Sequence, residues 1–307
     1  MTARVLVIVV THNGMRWIDR CIGSVISGAK TADSAPEVAV YVWDNASTDG
    51  SADYVAEHFP QAVLVRSQEN LGFSIPNNKG FEYAIREGFD YVYLLNQDAW
   101  LEPGALEKLV AAAESHPEYG VLSPLQMTDG YQDLDRQFAK RLPVKLAMTS
   151  RPAPSLCPAP TGHLIDVPFI MAAHWLVPLR AVEKIGPFEE ELFPLYGQDD
   201  EWCRRLHFSG LKVGVIPEAR AVHDRQYREE PLEWVVYRNY YTGSLVRLCD
   251  VSRPLFEKFS FVIFFTLVKA VKYRSLLPFK YFRQICRDLP RVRKQRSIVR
   301  TRAHNAK

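Results

Sequence analysis

The tripeptide Asn96-Gln97-Asp98 closes an apolar run, YVYLL, whose continuous hydrophobicity marks a strand covered on both faces. In extended backbone, residues two apart point to one side, so Asn96 and Asp98 share a target that Gln97 does not. An amide oxygen beside a carboxylate suits Mg²⁺ or Mn²⁺, which keeps waters and completes its shell from substrate phosphates. Further along, Gln198-Asp199-Asp200-Glu201 sets three carboxylates at the start of a helical stretch, where the helix dipole favours acids. Transfer of a group from a diphosphate to a hydroxyl needs two separate sites of this kind. One neutralises the leaving group and the other takes the proton.

The elements that must position these groups alternate. VLVIVV, VAVYVWD, AVLVR and YVYLL read as strands between helix-like stretches, the pattern of a sheet flanked by helices. Pro76 and Pro103 mark first helical turns, and Ser47 or Thr48 is expected to cap the helix after Asn45. In such folds ligands bind beyond the carboxyl ends of the strands. There the first strand delivers Thr11-His12-Asn13-Gly14, and the second delivers Asp44-Asn45, with Asp44 placed to accept a hydrogen bond from a base N–H. Asn70-Leu71-Gly72-Phe73 and Asn77-Asn78 form a glycine-permitted turn into a helix N-terminus, a favourable seat for phosphate.

The 307 residues, 47% of them hydrophobic, divide into an α/β half over 1–125, a second half of the same domain over 126–229, and a helical extension over 230–307. Six prolines between Pro124 and Pro160 break the periodicity and predict a mobile connection or acceptor-side loop. Five scattered cysteines without a CxxC pair suggest neither a disulfide framework nor a cysteine zinc site, and a reducing cytoplasm is expected. The N-terminal apolar run lacks a small-residue cleavage site and reads as a strand. Net charge is only +3, yet from Lys280 to Lys307 ten Lys or Arg face one acid, Asp288. Beside this tail, FVIFFTLV (261–268) is too short to span a bilayer and predicts an interfacial helix on an anionic phospholipid surface rather than a nucleic-acid site. The alternative is a helix packed on the α/β domain.

Together VIVVTHNG, VWDNASTDGS, ENLGFSIPNNKGFEYA, YLLNQDAWLEPG, GQDDEWCRR and AVHD resemble the family 2 glycosyltransferases of the GT-A fold, above all their rhamnosyltransferase-like bacterial branch, over about residues 4 to 245. The resemblance implies a Rossmann-like mixed sheet and an inverting enzyme. Such an enzyme moves a sugar from a UDP- or dTDP-type donor to a saccharide or lipid-linked saccharide acceptor in cell-envelope or surface-polysaccharide synthesis. It also implies that Asp98, in an NxD form of the family's metal motif, holds the divalent cation, with His223 completing that site. Thr11, Asn13, Asp44, Asn45, Asn70, Gly72, Asn78, Asn96 and Gln97 would line the nucleotide sugar. Asp199 takes the position of the general base, with Asp200 as the alternative. Gln198 and Glu201 depart from the Glu-Asp-x-Asp pattern, and Glu201 is expected on the acceptor side. Trp175 and Trp202 are expected to offer stacking faces to the acceptor. Two other readings are a nucleotidyltransferase, which would need a glycine-rich basic loop that THNGMRWIDR lacks, and a non-catalytic sugar-nucleotide-binding protein, made conceivable by Gln198.

Overall fold

The computed structural model describes residues 2–28, 35–130, 133–143, 164–225 and 230–305. Much of the proline-rich stretch, residues 144–163, lies outside them. The described strands are β1 (Arg4–Thr11), β2 (Glu37–Asp44), β3 (Val63–Arg66), β4 (Tyr91–Asn96), β5 (Ala99–Leu101), β6 (Tyr119–Met127), β7 (Ile165–Val167), β8 (His174–Pro178) and β9 (Lys212–His223). They join one nine-stranded sheet in the order β3-β2-β1-β4-β8-β6-β9-β5, with β7 paired to β9. The first four are mutually parallel, so Thr11, Asp44 and Asn96 end at one edge: Thr11 is level with Asp44, and Val10 with Asn96. β8 enters antiparallel to β4 and makes the sheet mixed. The stretch 212–223 is a single strand rather than two. Its pairing with β6 shifts register beyond Ile216, next to Pro217, which has no N–H to offer the ladder.

Helices α1 (Ile18–Gly28), α2 (Ser51–His58) and α4 (Ala105–Ser115) bury one sheet face, with Val7, Val9, Tyr93 and Leu95 in that core. The other face carries α3 (Ser74–Arg86), α6 (Leu179–Ile185) and α7 (Gln198–Phe208) over Leu6, Ile8, Val92 and Leu94; the short α5 spans Arg136–Ala139. Ser47 and Thr48 do not cap α2. Gly50 takes that position, while the Ser47 hydroxyl accepts from Asn13 N–H.

The C-terminal extension comprises α8 (Leu232–Val236), a π-helical turn (Tyr237–Thr242), α9 (Gly243–Cys249), α10 (Leu255–Tyr273) and α11 (Leu277–Asn305). These elements share a third core with Leu192 and Phe193, which lie just ahead of α7. No described helix is long and apolar enough to cross a membrane. α10 is not apolar on every side in effect: Val262 and Thr266 pack inward, while Phe264, Leu267 and Val271 face solvent.

Candidate active site

Strand ends β1 and β4 are bound to each other. Thr11 Oγ1 and His12 N–H both donate to Gln97 Oε1 at 2.8 Å. A Cβ on Gly14 would lie 2.4 Å from Thr11 Oγ1 and 2.6 Å from Gln97 Oε1, so only glycine lets this loop close. Thr11 and Gln97 are thereby braces of the crevice floor. Asn13 sits in the left-handed region (φ 52°), which asparagine tolerates, and its Oδ1 accepts from Thr48 N–H at 2.8 Å. Asp44 accepts from Ser47 N–H through Oδ2, whereas its buried Oδ1 has no partner among the described residues. A buried carboxylate oxygen without a donor is a costly group to leave unmatched, and here it is available to an N–H from outside the chain.

Three residues expected at the nucleotide serve the framework instead. Asn45 donates to Gly72 O at 2.7 Å and accepts from Trp43 Nε1 and Leu71 N–H, which engages both ends of its amide. Asn78 donates to Phe188 O and Glu190 Oε2 and accepts from Phe188 N–H, so nothing of it remains for a ligand. Gly72 (φ 78°) lies where a Cβ would be 2.4 Å from Pro194 O, the carbonyl that also accepts from Phe73 and Ser74 N–H. The 70–78 segment thus clamps the 188–195 loop that leads into α7. Asn70 closes its own turn on Gly72 N–H and is exposed.

Asp98 Oδ1 stands 3.4 Å from His223 Nε2, brought there by the pairing of β5 with β9, in which Ala99 faces His223. Burial works to raise the Asp98 carboxyl, but the His223 hydrogen bond and charge, with Arg225 beyond, hold it below the usual carboxylate range. His223 Nδ1 is buried and unpartnered. Beneath it His174, which sequence reasoning did not single out, accepts from Tyr93 and donates to Val222 O; burial first of all pushes it down to about 3, so it is a neutral wall. Among the described residues no group of three or more His, Cys, Asp or Glu gathers to hold a metal. One carboxylate and one imidazole fit a cation that takes its other ligands from phosphate and water.

Asp199 occupies the first turn of α7, after Gly197 in the left-handed conformation (φ 89°). Burial pushes its carboxyl up to about 6; the Asp200 charge adds to this, and N–H groups including those of Asp200 and Ala172 work against it. The neighbouring Ala173 O accepts from Asn96 N–H at 3.1 Å, so residues 172–173 join the end of β4 to Asp199. Asp200 turns away to Arg204 at 2.8 Å.

The acceptor-side expectations for Trp175, Trp202 and Glu201 do not hold. Both indoles are fully buried and pack on each other with centroids 5.7 Å apart, so neither presents a face to a sugar. Glu201 is 1% exposed; it pairs with Arg205 at 2.9 Å and accepts from Gln295 Nε2 at 2.9 Å. Gln295 belongs to α11, and it was missed because nothing in its surroundings distinguishes it from a solvated helix.

The pattern of glycosyl transferase family 2 matches residues 6–166, and the chain belongs to that family. It is 26% identical to an N-acetylglucosaminyl-diphospho-decaprenol L-rhamnosyltransferase of Mycobacterium tuberculosis, over 74% of this chain and 78% of the relative. Its fold is similar to that of S. aureus TarS 1-349 (TM-score 0.57, 16% identity, 84% of this chain and 69% of that one). It is also similar to GalNAc-T7 solved with UDP, GalNAc and Mn²⁺ (TM-score 0.56, 14% identity, 94% and 57%).

Proposed function

We propose that the protein is an inverting, metal-assisted glycosyltransferase of envelope polysaccharide synthesis that glycosylates a lipid-linked saccharide diphosphate. The observation that carries the reading is the juncture at residues 172–173. It ties Asn96, two residues before Asp98, to Asp199, whose carboxyl burial holds near 6, poised for a general base. Asp44 Oδ1 would accept the imide N–H of a uracil or thymine base. Asp98 and His223 would hold Mg²⁺ or Mn²⁺, which when bound supplies charge neutralisation of the departing diphosphate. Asp199 would take the acceptor hydroxyl proton from the opposite side. The rhamnosyltransferase relative motivates the acceptor class and a deoxyhexosyl donor. The donor half is assigned to 1–125 and the acceptor half to 126–229.

We place the enzyme on the cytoplasmic face of an anionic membrane, through the exposed apolar side of α10 and the basic α11. The test of the transfer reading is turnover of a panel of UDP- and dTDP-sugars with a prenyl-diphosphate-linked N-acetylglucosamine, with and without Mn²⁺. Asp199→Asn should retain donor binding and lose transfer by about 10²–10⁴-fold. Wild-type transfer by this variant would remove the assignment.

A further inference from the structure

Three residues before Asp199, Tyr196 begins a file of aromatic rings on the surface of the C-terminal extension. Its ring lies 6.0 Å from that of Trp234, which lies 5.5 Å from Tyr237, which lies 5.9 Å from Tyr281. Trp234 is 45% exposed, whereas a ring recruited only for packing would be covered. The file turns at the π-helical segment Tyr237–Thr242, a distortion that recurs at functional sites.

Tyr281 opens onto a groove of about 570 Å³, lined also by Leu276, Phe279, Lys280, Arg283 and Arg287. Lys280, Arg283 and Arg287 are spaced to share one face of α11. Lys280 is held by Glu233 at 2.6 Å, while Arg283 and Arg287 make no ion pair among the described residues. Beyond them Leu276, 79% exposed, and Phe279 meet the apolar side of α10. From the catalytic turn outward the order is therefore aromatic, then cationic, then apolar.

We infer that this path seats the lipid-linked acceptor: its sugar beside Tyr196 and Trp234, its diphosphate at Arg283 and Arg287, and its prenyl chain along Leu276 and Phe279 toward the bilayer. The inference rests on the acceptor class proposed above and deepens it by giving that acceptor a place. Aromatic faces suit the C–H surface of a sugar, and planar guanidinium forks suit phosphate oxygens. A single lipid-linked saccharide diphosphate carries the same three chemistries in the same order.

The test is binding of farnesyl diphosphate, inorganic diphosphate and farnesol to the full chain by calorimetry, so that it stands apart from turnover. Wild type should bind farnesyl diphosphate saturably and at least tenfold more tightly than either inorganic diphosphate or farnesol. Arg283→Ala/Arg287→Ala should weaken it at least tenfold, and Phe279→Ser at least threefold. Trp234→Ala should raise the acceptor KM severalfold while kcat and donor hydrolysis stay within twofold; Trp234→Tyr should recover most of the loss. Farnesyl diphosphate binding within twofold of wild type in the double-arginine variant overturns the inference. So does a double variant that loses only its affinity for phosphatidylglycerol vesicles, because the arginines would then be membrane contacts. If farnesyl diphosphate binds as expected but no sugar is transferred, the transfer reading fails while the groove survives.

Discussion

The carboxylate of Asp98 and the imidazole of His223 stand 3.4 Å apart although 125 positions separate them in the chain. β5 is only three residues long, and its antiparallel pairing with β9 fixes this meeting. Asp224 N–H donates to Asp98 O at 2.8 Å and closes the corner, while Trp17 Nε1 holds the Asp224 side chain at 2.8 Å. The two groups are thus set by backbone on both sides, and a cation there would meet donors that need no rearrangement.

With two protein ligands, cation affinity should depend on the nucleotide. Titrating Mn²⁺ by electron paramagnetic resonance should show weak binding to the protein alone and at least tenfold stronger binding once UDP is added. Asp98→Asn should abolish that enhancement, and His223→Ala should reduce it. Equal Mn²⁺ binding with and without UDP would mean that the phosphates supply no ligands.

Asp199 makes a prediction in pH. Burial raises its folded-state carboxyl to about 6, so the folded protein binds more protons than the unfolded chain between roughly pH 4 and 6, and stability falls as pH rises through that window. Asp199→Asn escapes the loss. It should melt above wild type at pH 7.5 by a few degrees, and the difference should vanish near pH 4. Transfer by wild type should decline below about pH 6 as the base is protonated. A variant that melts lower than wild type at pH 7.5 would show that the Asp199 charge is compensated.

Much of the site was legible because polar residues ending continuously apolar strands have few structural uses. That signal correctly directs attention to Thr11, Asp44, Asn96 and Asp98, and the parallel register of β2-β1-β4 does align those ends. It does not separate a residue that faces the crevice from one that shapes it. Asn45 and Asn78 have the same chemistry as ligand-binding amides, yet long-range partners at Leu71, Gly72, Phe188 and Glu190 engage them. The buried positions of Trp175 and Glu201 likewise depend on α6 and α11, which the local pattern around them does not reveal. The extension was read as an appendage because its basic composition resembles a solvated tail. Its inward face is the other half of the story.

That inward face predicts a stability effect. Arg205 donates to Glu201, Ile185 O and Pro187 O, and Gln295 completes Glu201. Removing one partner of a buried pair leaves a charge without compensation, so Arg205→Ala should destabilise by about 3–5 kcal/mol. Gln295→Leu should cost about 1–3 kcal/mol by leaving one Glu201 oxygen unsatisfied. Urea titration measures both. A Gln295→Leu value indistinguishable from wild type would mean that water replaces the amide.

The outward face of α10 predicts membrane attachment by point substitution rather than truncation. Deleting everything after Asp250 would also remove Gln295 and the α10–α11 side of the core that holds Leu192 and Phe193, so loss of binding there would have two causes. Phe264, Leu267 and Val271 are exposed on α10, and Lys272 and Arg274 lie at its C-terminal end. Apolar side chains would enter the acyl boundary while the cations meet anionic headgroups. Phe264→Asp/Val271→Asp leaves the packed residues Val262 and Thr266 untouched, and its melting temperature should match wild type. In sedimentation with phosphatidylglycerol vesicles, wild type should pellet at low salt and release progressively as salt rises, since screening shortens the reach of the lysines and arginines. The double variant should remain in the supernatant throughout. Pelleting of the double variant equal to wild type would place the attachment elsewhere on the molecule.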